Sequence, residues 1–374
     1  MKALVWATLG LWFVMLVNFL YSGISTIPSE GDSLAYHIPI STMISTGKWM
    51  EPEAFEKPFF FYPAMGETLL SGITDAGIPE NLFNVIGWTL LGFVIYGLSM
   101  RARLGRTLSL SLAVACLMWP SMVRLLNNQT VDIWVAVWWT ASVYWLEKKG
   151  KMSVSGWMWQ GVFLGMLCGT KVSGILFAVV LLVVYMKKWT AANFRQLIVF
   201  ATAILIVGGF WYIRNTLLTG NPFYPATILG WQGSSNFHLM DWSPWKTLFI
   251  FPGGWRLFAE ALISEFLMWP IILFSLILIR SRWILLGGLN FLVYLFLPSW
   301  PANMLSDLRY LFVAFIPLMI GVWSYAKRRG HEEMFLILTV MSVAVEFTQL
   351  DFRPKIFVMA MAIPVIGWYW YKTK

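Results

Sequence analysis

The chain has 374 residues, of which 59% are hydrophobic and only 12% are charged, and its formal net charge is +9. Polar residues are too few to cover a soluble protein of this length, so the composition excludes an ordinary soluble domain and predicts a membrane protein. The basic excess is explained below by membrane topology, and it gives no argument for a nucleic-acid partner.

Apolar runs of roughly 17–25 residues recur along the sequence, and each is long enough to cross a hydrocarbon core of about 30 Å. We predict an all-α, polytopic protein of about twelve transmembrane helices, forming a single transmembrane domain over residues 1–374 with no soluble C-terminal domain. The predicted spans are 3–22, 82–100, 107–123, 131–146, 154–170, 172–186, 196–213, 257–279, 283–299, 309–326, 334–349 and 356–371.

The connectors between these spans alternate in charge. Every second one is short and basic, at residues 101–106, 148–151, 187–195, 280–282 and 327–329. The positive-inside rule places these connectors and both chain termini in the cytoplasm. The opposite side receives most of the acidic residues and two long loops, 23–81 and 214–256. Because loops of this length in compact proteins are usually functional, we expect the site there.

The first long loop carries candidate site residues close to the end of the first span. Amphipathic character from Asp32 to Thr46 predicts a short interfacial helix that also carries Tyr36 and His37. Asp32 is either the N-cap of this helix, a position that favours Asp, or a carboxylate of a site at the membrane surface. Glu67 follows an aromatic run broken by prolines and is a further candidate.

Two charged residues border the middle spans. Asp132 stands at the mouth of span 131–146, where a carboxylate is costly unless it meets a cation or a wet cavity. Helix capping is an alternative explanation for it. Lys171 separates spans 154–170 and 172–186. Its ammonium either snorkels to the interface or faces an anionic ligand at the membrane boundary.

Two more basic residues lie on the side where the charge rule disfavours arginine. Arg214, with Asn215, ends span 196–213, and we expect a local partner for it. Arg309, with Tyr310, begins span 309–326 shortly after Asp307. A surface pair between Asp307 and Arg309 is the alternative, and such pairs contribute little.

Five of these residues provide two carboxylates and three cations on one predicted face of the membrane: Asp32, Asp132, Lys171, Arg214 and Arg309. That composition suits a site that holds a phosphate while it activates a hydroxyl. Arginine contacts phosphate through a planar fork of donors, and a carboxylate accepts the proton of an attacking hydroxyl. A divalent cation is possible between the acids, whereas no other cofactor is indicated.

Three segments resemble motifs of the GT-C superfamily of integral-membrane glycosyltransferases. They are the stretch from Gly31 to Pro39, the stretch from Arg214 to Pro225, and Arg309-Tyr310 followed by Pro317. They are most similar to bacterial members related to protein O-mannosyltransferases and lipid A aminoarabinose transferases. The resemblance implies a GT-C-like fold in a bacterial inner membrane, with the active site on the periplasmic or extracellular side.

The resemblance also implies an inverting transfer of a sugar from a polyprenyl-phosphate donor. Asp32 would match the catalytic base, and Arg309 with Lys171 or Arg214 would match the donor-phosphate contacts. Asp132 is similar to a second acidic position, and Tyr36, His37, Glu67, Asn215 and Tyr310 are candidates for substrate contact. The acceptor would be a glycan, a lipid or a protein, and membrane lipid would surround the site.

Two other functions fit the same composition. A secondary transporter or lipid flippase would place ionisable residues near the middle of the membrane, often on broken helices in two similar halves. An O-antigen polymerase or ligase would use arginines at the same face, with its catalytic residues in a large late loop. The long first loop with Asp32 favours the glycosyltransferase.

Overall fold

The computed structural model describes residues 2–51, 57–228, 230–234, 242–299 and 301–347. In these ranges the chain is helical, and its β-structure is limited to one isolated bridge between Ile228 and Trp231. The all-α prediction is confirmed. The predicted span 356–371 lies outside the described residues.

Helices occupy the positions of the first eleven predicted spans. Those at the first six spans are Lys2–Ser25, Phe83–Arg101, Arg106–Leu117 with Pro120–Val123, Asp132–Leu146, Val154–Thr170 and Ser173–Val184. Those at the next five are Phe194–Ile204 continuing through Leu205–Gly209 into Phe210–Thr219, Gly254–Glu265 with Trp269–Leu278, Arg282–Phe296, Met304–Asp307 continuing through Leu308–Leu311 into Phe312–Arg328, and Glu332–Phe347.

Shorter helices fill the connectors. They are Ser33–His37 continuing into Ile38–Ser45, Pro58–Phe61, Met65–Asp75, Glu80–Leu82, Met186–Thr190, Pro244–Phe249 and Pro301–Asn303. The first of these stands where a short helix was predicted from Asp32 to Thr46. Its location at a membrane interface stays a prediction.

Four helices in the described part of the chain are long and apolar enough to cross a membrane. They are Val5–Ser25, Glu80–Arg101, Phe194–Thr219 and Pro301–Arg328. The apolar helices Arg106–Leu117, Ser173–Val184 and Arg282–Phe296 are shorter. The chain is thus an integral membrane protein, and the count of twelve spans stays a prediction.

The predicted span 257–279 is not one continuous helix. The helices Gly254–Glu265 and Trp269–Leu278 are bent by 111° at the break between them. Pro270 stands in the first turn of the second helix, where its missing N–H is tolerated. The break could not be predicted from the apolar composition of the segment.

The described residues divide into two compact units. The first comprises residues 2–18, 95–124, 242–299 and 301–347, and the second comprises residues 19–51, 57–94, 125–228 and 230–234. The first unit therefore contains Arg309 and Tyr310. The second contains the other site candidates.

In the second unit, glycines bring helices Val154–Thr170 and Phe194–Thr219 into close contact. A Cβ added at Gly165 would lie 3.0 Å from Cβ of Val207, and one added at Gly208 would lie 2.2 Å from the carbonyl oxygen of Gly165. The hydroxyl of Tyr212 donates a hydrogen bond of 2.7 Å to the carbonyl of Cys168, close to the same end of both helices. Small residues at such contacts let helix backbones approach closely.

Candidate functional site

Asp32 stands in the first turn of its helix, but a different carboxylate caps that helix. Oε1 of Glu30 accepts from the backbone N–H of Asp32 at 3.1 Å, and Oε2 accepts from the N–H of Ser33 at 2.7 Å. The side chain of Asp32 makes no capping hydrogen bond. The alternative in which Asp32 serves as the N-cap is therefore wrong.

A buried polar network ties the Asp32 helix to the segment that precedes Asp132. The hydroxyl of Ser33 donates to Glu30 at 2.7 Å and accepts from the N–H of Gln129 at 3.0 Å. The side chain of Gln129 donates in turn to Asn81 at 2.8 Å. Because Ser33 follows Asp32 and Gln129 lies three residues before Asp132, the network sets the relative positions of the two acidic segments.

Asp132 pairs with Lys171, as a buried carboxylate at a span end requires. Nζ of Lys171 lies 2.8 Å from Oδ1 of Asp132, and the two side chains are 27% and 4% exposed. Asp132 is the first residue of helix Asp132–Leu146, directly after the N-cap residue Val131. Its carboxylate faces a cation from the break after helix Val154–Thr170.

Gly66 places helix Met65–Asp75 against both members of this pair. A Cβ at Gly66 would lie 2.4 Å from Val131 and 3.5 Å from Thr170, the residues directly before Asp132 and Lys171. A larger residue at Gly66 would therefore clash with Val131.

Glu67 and His37 form a second buried pair. Nδ1 of His37 lies 2.6 Å from Oε1 of Glu67, and the side chains are only 3% and 4% exposed. The ring of Tyr36 packs 4.1 Å from the His37 ring and 5.6 Å from that of Phe59. These contacts join the Asp32 helix to helix Met65–Asp75 and to the aromatic turn that follows Lys57.

Arg214 lies inside helix Phe210–Thr219, which continues beyond the predicted span end to a left-handed Gly220. Its Nη2 donates to the carbonyl of Phe60 at 2.8 Å and to Asn215 at 3.1 Å. The guanidinium packs over the ring of Trp211, 4.9 Å from its centroid. The expected local partners are therefore a backbone turn, an amide and an aromatic face.

Asn215 reinforces the same arrangement. Its amide donates to the carbonyl of Phe61 at 2.7 Å and to that of Tyr224 at 3.2 Å. The segment 58–61 is thus held by two consecutive side chains of one helix. The partly buried ring of Tyr36 packs against the apolar cluster around this turn, formed by Ile40, Phe60, Ala64 and Trp211.

The contacts described above connect the elements that carry the site candidates. Hydrogen bonds join the Asp32 helix to the segment before Asp132 and to helix Met65–Asp75, and join helix Phe210–Thr219 to the aromatic turn and to the end of helix Val154–Thr170. The candidates on these connected elements of the second unit are Asp32, Tyr36, His37, Glu67, Asp132, Lys171, Arg214 and Asn215, and we call them the cluster.

Arg309 and Tyr310 lie in the first unit. The guanidinium of Arg309 stands over the ring of Tyr310, 5.6 Å from its centroid. Asp307 accepts a hydrogen bond of 2.7 Å from the hydroxyl of Ser299. In the same unit, Arg124 forms an ion pair with the buried Glu265 and donates to the carbonyl of Leu305 at 3.3 Å.

Sequence reasoning missed three parts of these arrangements. The capping role of Glu30 was overlooked because Asp32 is the commoner N-cap type. The buried amides around Gln129 were missed, although a polar run directly before an apolar span needs buried partners. Lys57, an exposed cation 5.4 Å over the ring of Phe60, stands next to the turn that Arg214 holds.

No group of three or more His, Cys, Asp or Glu side chains within the described ranges could hold a metal ion. Two acidic side chains of the cluster have a basic partner: Asp132 pairs with Lys171 and Glu67 with His37. The divalent cation stays a prediction from the sequence.

Comparison with known proteins places the fold. A family described as a domain of unknown function, DUF8201, matches residues 69–251. No curated protein matches the chain significantly.

Two crystal structures are similar to the chain. Both are of ArnT from Cupriavidus metallidurans, one in the apo state and one bound to undecaprenyl phosphate, with 16% and 17% identity and a TM-score of 0.53 for each. The matches cover 94% and 96% of this chain and 74% of each ArnT chain. At this identity the likeness shows a shared fold, as the resemblance to lipid A aminoarabinose transferases implied.

Proposed function

We propose that this protein is a membrane glycosyltransferase that moves a sugar from a polyprenyl-phosphate donor to an acceptor hydroxyl at the non-cytoplasmic face. The observation that carries the proposal is that Asp32, the Asp132–Lys171 pair and Arg214 lie in one unit, on elements that hydrogen bonds connect. The undecaprenyl phosphate bound in a structure of similar fold supports a lipid-linked donor.

Asp32 acts as the general base. Its carboxylate takes the proton from the acceptor hydroxyl as that oxygen attacks the anomeric carbon of the sugar. The bond between that carbon and the phosphate oxygen breaks on the opposite side, and its electron pair leaves with the polyprenyl phosphate. One attack from the far side inverts the configuration. Glu30 supports this role because its carboxylate supplies the capping hydrogen bonds that Asp32 would otherwise make.

Cations stabilise the negative charge that grows on the leaving phosphate. Arg214 is suited to contact this phosphate because its Nη1 is buried without a hydrogen-bond partner among the described residues. A buried donor with no partner costs free energy, and a hydrogen bond to a phosphate oxygen would remove that cost. Lys171, held by Asp132, supplies a second positive charge. Arg309 is proposed as a further phosphate contact on the sequence pattern alone.

A transfer assay tests the proposal. Purified protein in lipid nanodiscs is given a panel of polyprenyl-phosphate sugars and candidate acceptors, and both released polyprenyl phosphate and new glycosidic bonds are measured. The matched control is a donor with a non-cleavable phosphonate link, which should bind without yielding product. Equal amounts of released carrier and glycosylated acceptor are expected.

One alternative outcome has its own readout. The broken helix near Pro270 is a feature that transporters also use. In sealed vesicles, movement of intact donor between leaflets without a new glycosidic bond would support a flippase and contradict the glycosyltransferase.

A further inference from the structure

The helix that carries Asp32 contains one wide turn directly after it. From Ser33 to His37 the helix is of the π type, and the N–H of Ile38 bonds to the carbonyl of Ser33, five residues back. Such a turn holds one residue more than the α-helix allows, is rare, and is found mostly at functional sites. Interactions outside the helix must therefore stabilise it.

Both ends of this wide turn are held by buried polar side chains. Ser33, its first residue, is fully buried between Glu30 and the N–H of Gln129. His37, its last residue, is 2% exposed and bonds Glu67 at 2.6 Å. Between them, Leu34 and Ala35 are exposed, whereas the ring of Tyr36 is partly buried and packs against the His37 ring.

Burial of the His37–Glu67 pair costs desolvation free energy. Glu67 is 3% exposed, and its Oε2 is buried with no hydrogen-bond partner among the described residues. An apolar pair of similar size would pack there without this desolvation penalty. The pair therefore points to a requirement for geometry and not for stability.

We infer that His37 and Glu67 are positioning residues that keep the wide turn in register and so direct the carboxylate of Asp32, an inference that rests on the proposed function. If the turn relaxed to α-helical geometry, Asp32 would rotate by about 100° and shift by about 1.5 Å relative to the following residues. A displacement of that size removes a base from its acceptor.

Four variants separate a hydrogen-bonded clamp from a direct substrate contact. His37→Phe and Glu67→Leu remove the bond, and each should lower kcat by about 100-fold with an unchanged donor KM. His37→Asn keeps a nitrogen near Nδ1, and Glu67→Gln keeps an oxygen acceptor, so both should retain most of the activity. The double variant His37→Phe/Glu67→Leu should be no slower than either single variant.

Amide hydrogen exchange over residues 31–38 provides a readout that does not need activity. The two bond-removing variants should exchange faster there than wild type, whereas Thr339→Val, which removes a buried hydroxyl bond in the other unit, should not change this segment.

Wild-type kcat in His37→Phe or Glu67→Leu would overturn the inference, and so would Asn and Gln variants as slow as Phe and Leu. If the bond-removing variants do not fold, unchanged exchange at residues 31–38 in the Asn and Gln variants together with near-normal kcat would support it. A loss of kcat in the Asn and Gln variants would contradict the inference. If the wild-type protein transfers no sugar but the bond-removing variants still exchange faster, the proposed function is contradicted. The structural effect of the His37–Glu67 bond on the turn would still hold.

Discussion

Lys171 and Asp132 are joined by a contact of 2.8 Å between Nζ and Oδ1, and each follows directly on a residue that packs against Gly66. The same glycine thus sets the spacing of the helix ends from which both charges project. Because Glu67 is the next residue after Gly66, the acidic and basic candidates of three helices are positioned by one close approach.

Substitution of Lys171 should destabilise the folded protein. In Lys171→Met the carboxylate of Asp132, which is 4% exposed, loses its cation, and the free energy of unfolding should fall by at most about 3–5 kcal/mol. The double variant Asp132→Asn/Lys171→Met should recover much of that loss. Thermal unfolding in detergent measures both, and a Lys171→Met protein as stable as wild type would argue against a buried pair.

Neighbouring glycines in helix Phe194–Thr219 provide a matched test of the helix contact. Gly208→Ala places a Cβ 2.2 Å from the carbonyl oxygen of Gly165, whereas the nearest atom to a Cβ at Gly209 belongs to the flexible side chain of Leu205 at 3.2 Å. Gly208→Ala should lower the free energy of unfolding by about 1–3 kcal/mol and reduce transfer. Gly209→Ala should change both much less. Equal effects would show that this contact does not position the site.

Arg214→Lys keeps the charge but loses the planar fork. A single ammonium cannot reproduce the bonds to Phe60 and Asn215, so the turn at residues 58–61 should loosen and donor binding should weaken. We expect the donor KM to rise by about tenfold, equivalent to about 1.4 kcal/mol. Steady-state kinetics with varied donor concentration measures this change, and an unaltered KM would remove Arg214 from the proposed phosphate contacts.

Arg309→Ala tests the contact that rests on sequence alone. Loss of a phosphate contact should raise the donor KM with a smaller effect on kcat, and Arg309→Lys should restore part of the affinity because it keeps the charge. Isothermal titration with the phosphonate donor gives the dissociation constants directly. If Arg309→Ala binds as tightly as wild type, Arg309 has another role.

Much of the fold could be predicted because apolar length and charge alternation report directly on helices in a membrane. The helix Val154–Thr170 coincides with its predicted span. The break near Pro270 and the wide turn after Asp32 could not be predicted from apolar length. The wide turn is held by partners distant along the chain, which the local hydropathy pattern does not report.

The candidate site shows the same division. The sequence identified the charged residues because charges beside apolar spans are costly and therefore conspicuous. It did not identify their partners, because Asp132 meets Lys171 and His37 meets Glu67 across 39 and 30 residues of chain. It also named Asp32 and not Glu30 as the candidate N-cap, since the spacing of Glu30 from the helix start is as compatible with a loop as with a cap.

The most direct measurement compares Asp32→Asn with Glu30→Gln in the transfer assay. Asp32→Asn removes the proposed base while it retains the shape, so it should fold normally and lose about 100- to 10,000-fold in kcat. Glu30→Gln can still cap through its amide oxygen and should keep kcat near that of wild type, with a lower unfolding temperature. A folded Asp32→Asn protein that transfers sugar at the wild-type rate would contradict the account.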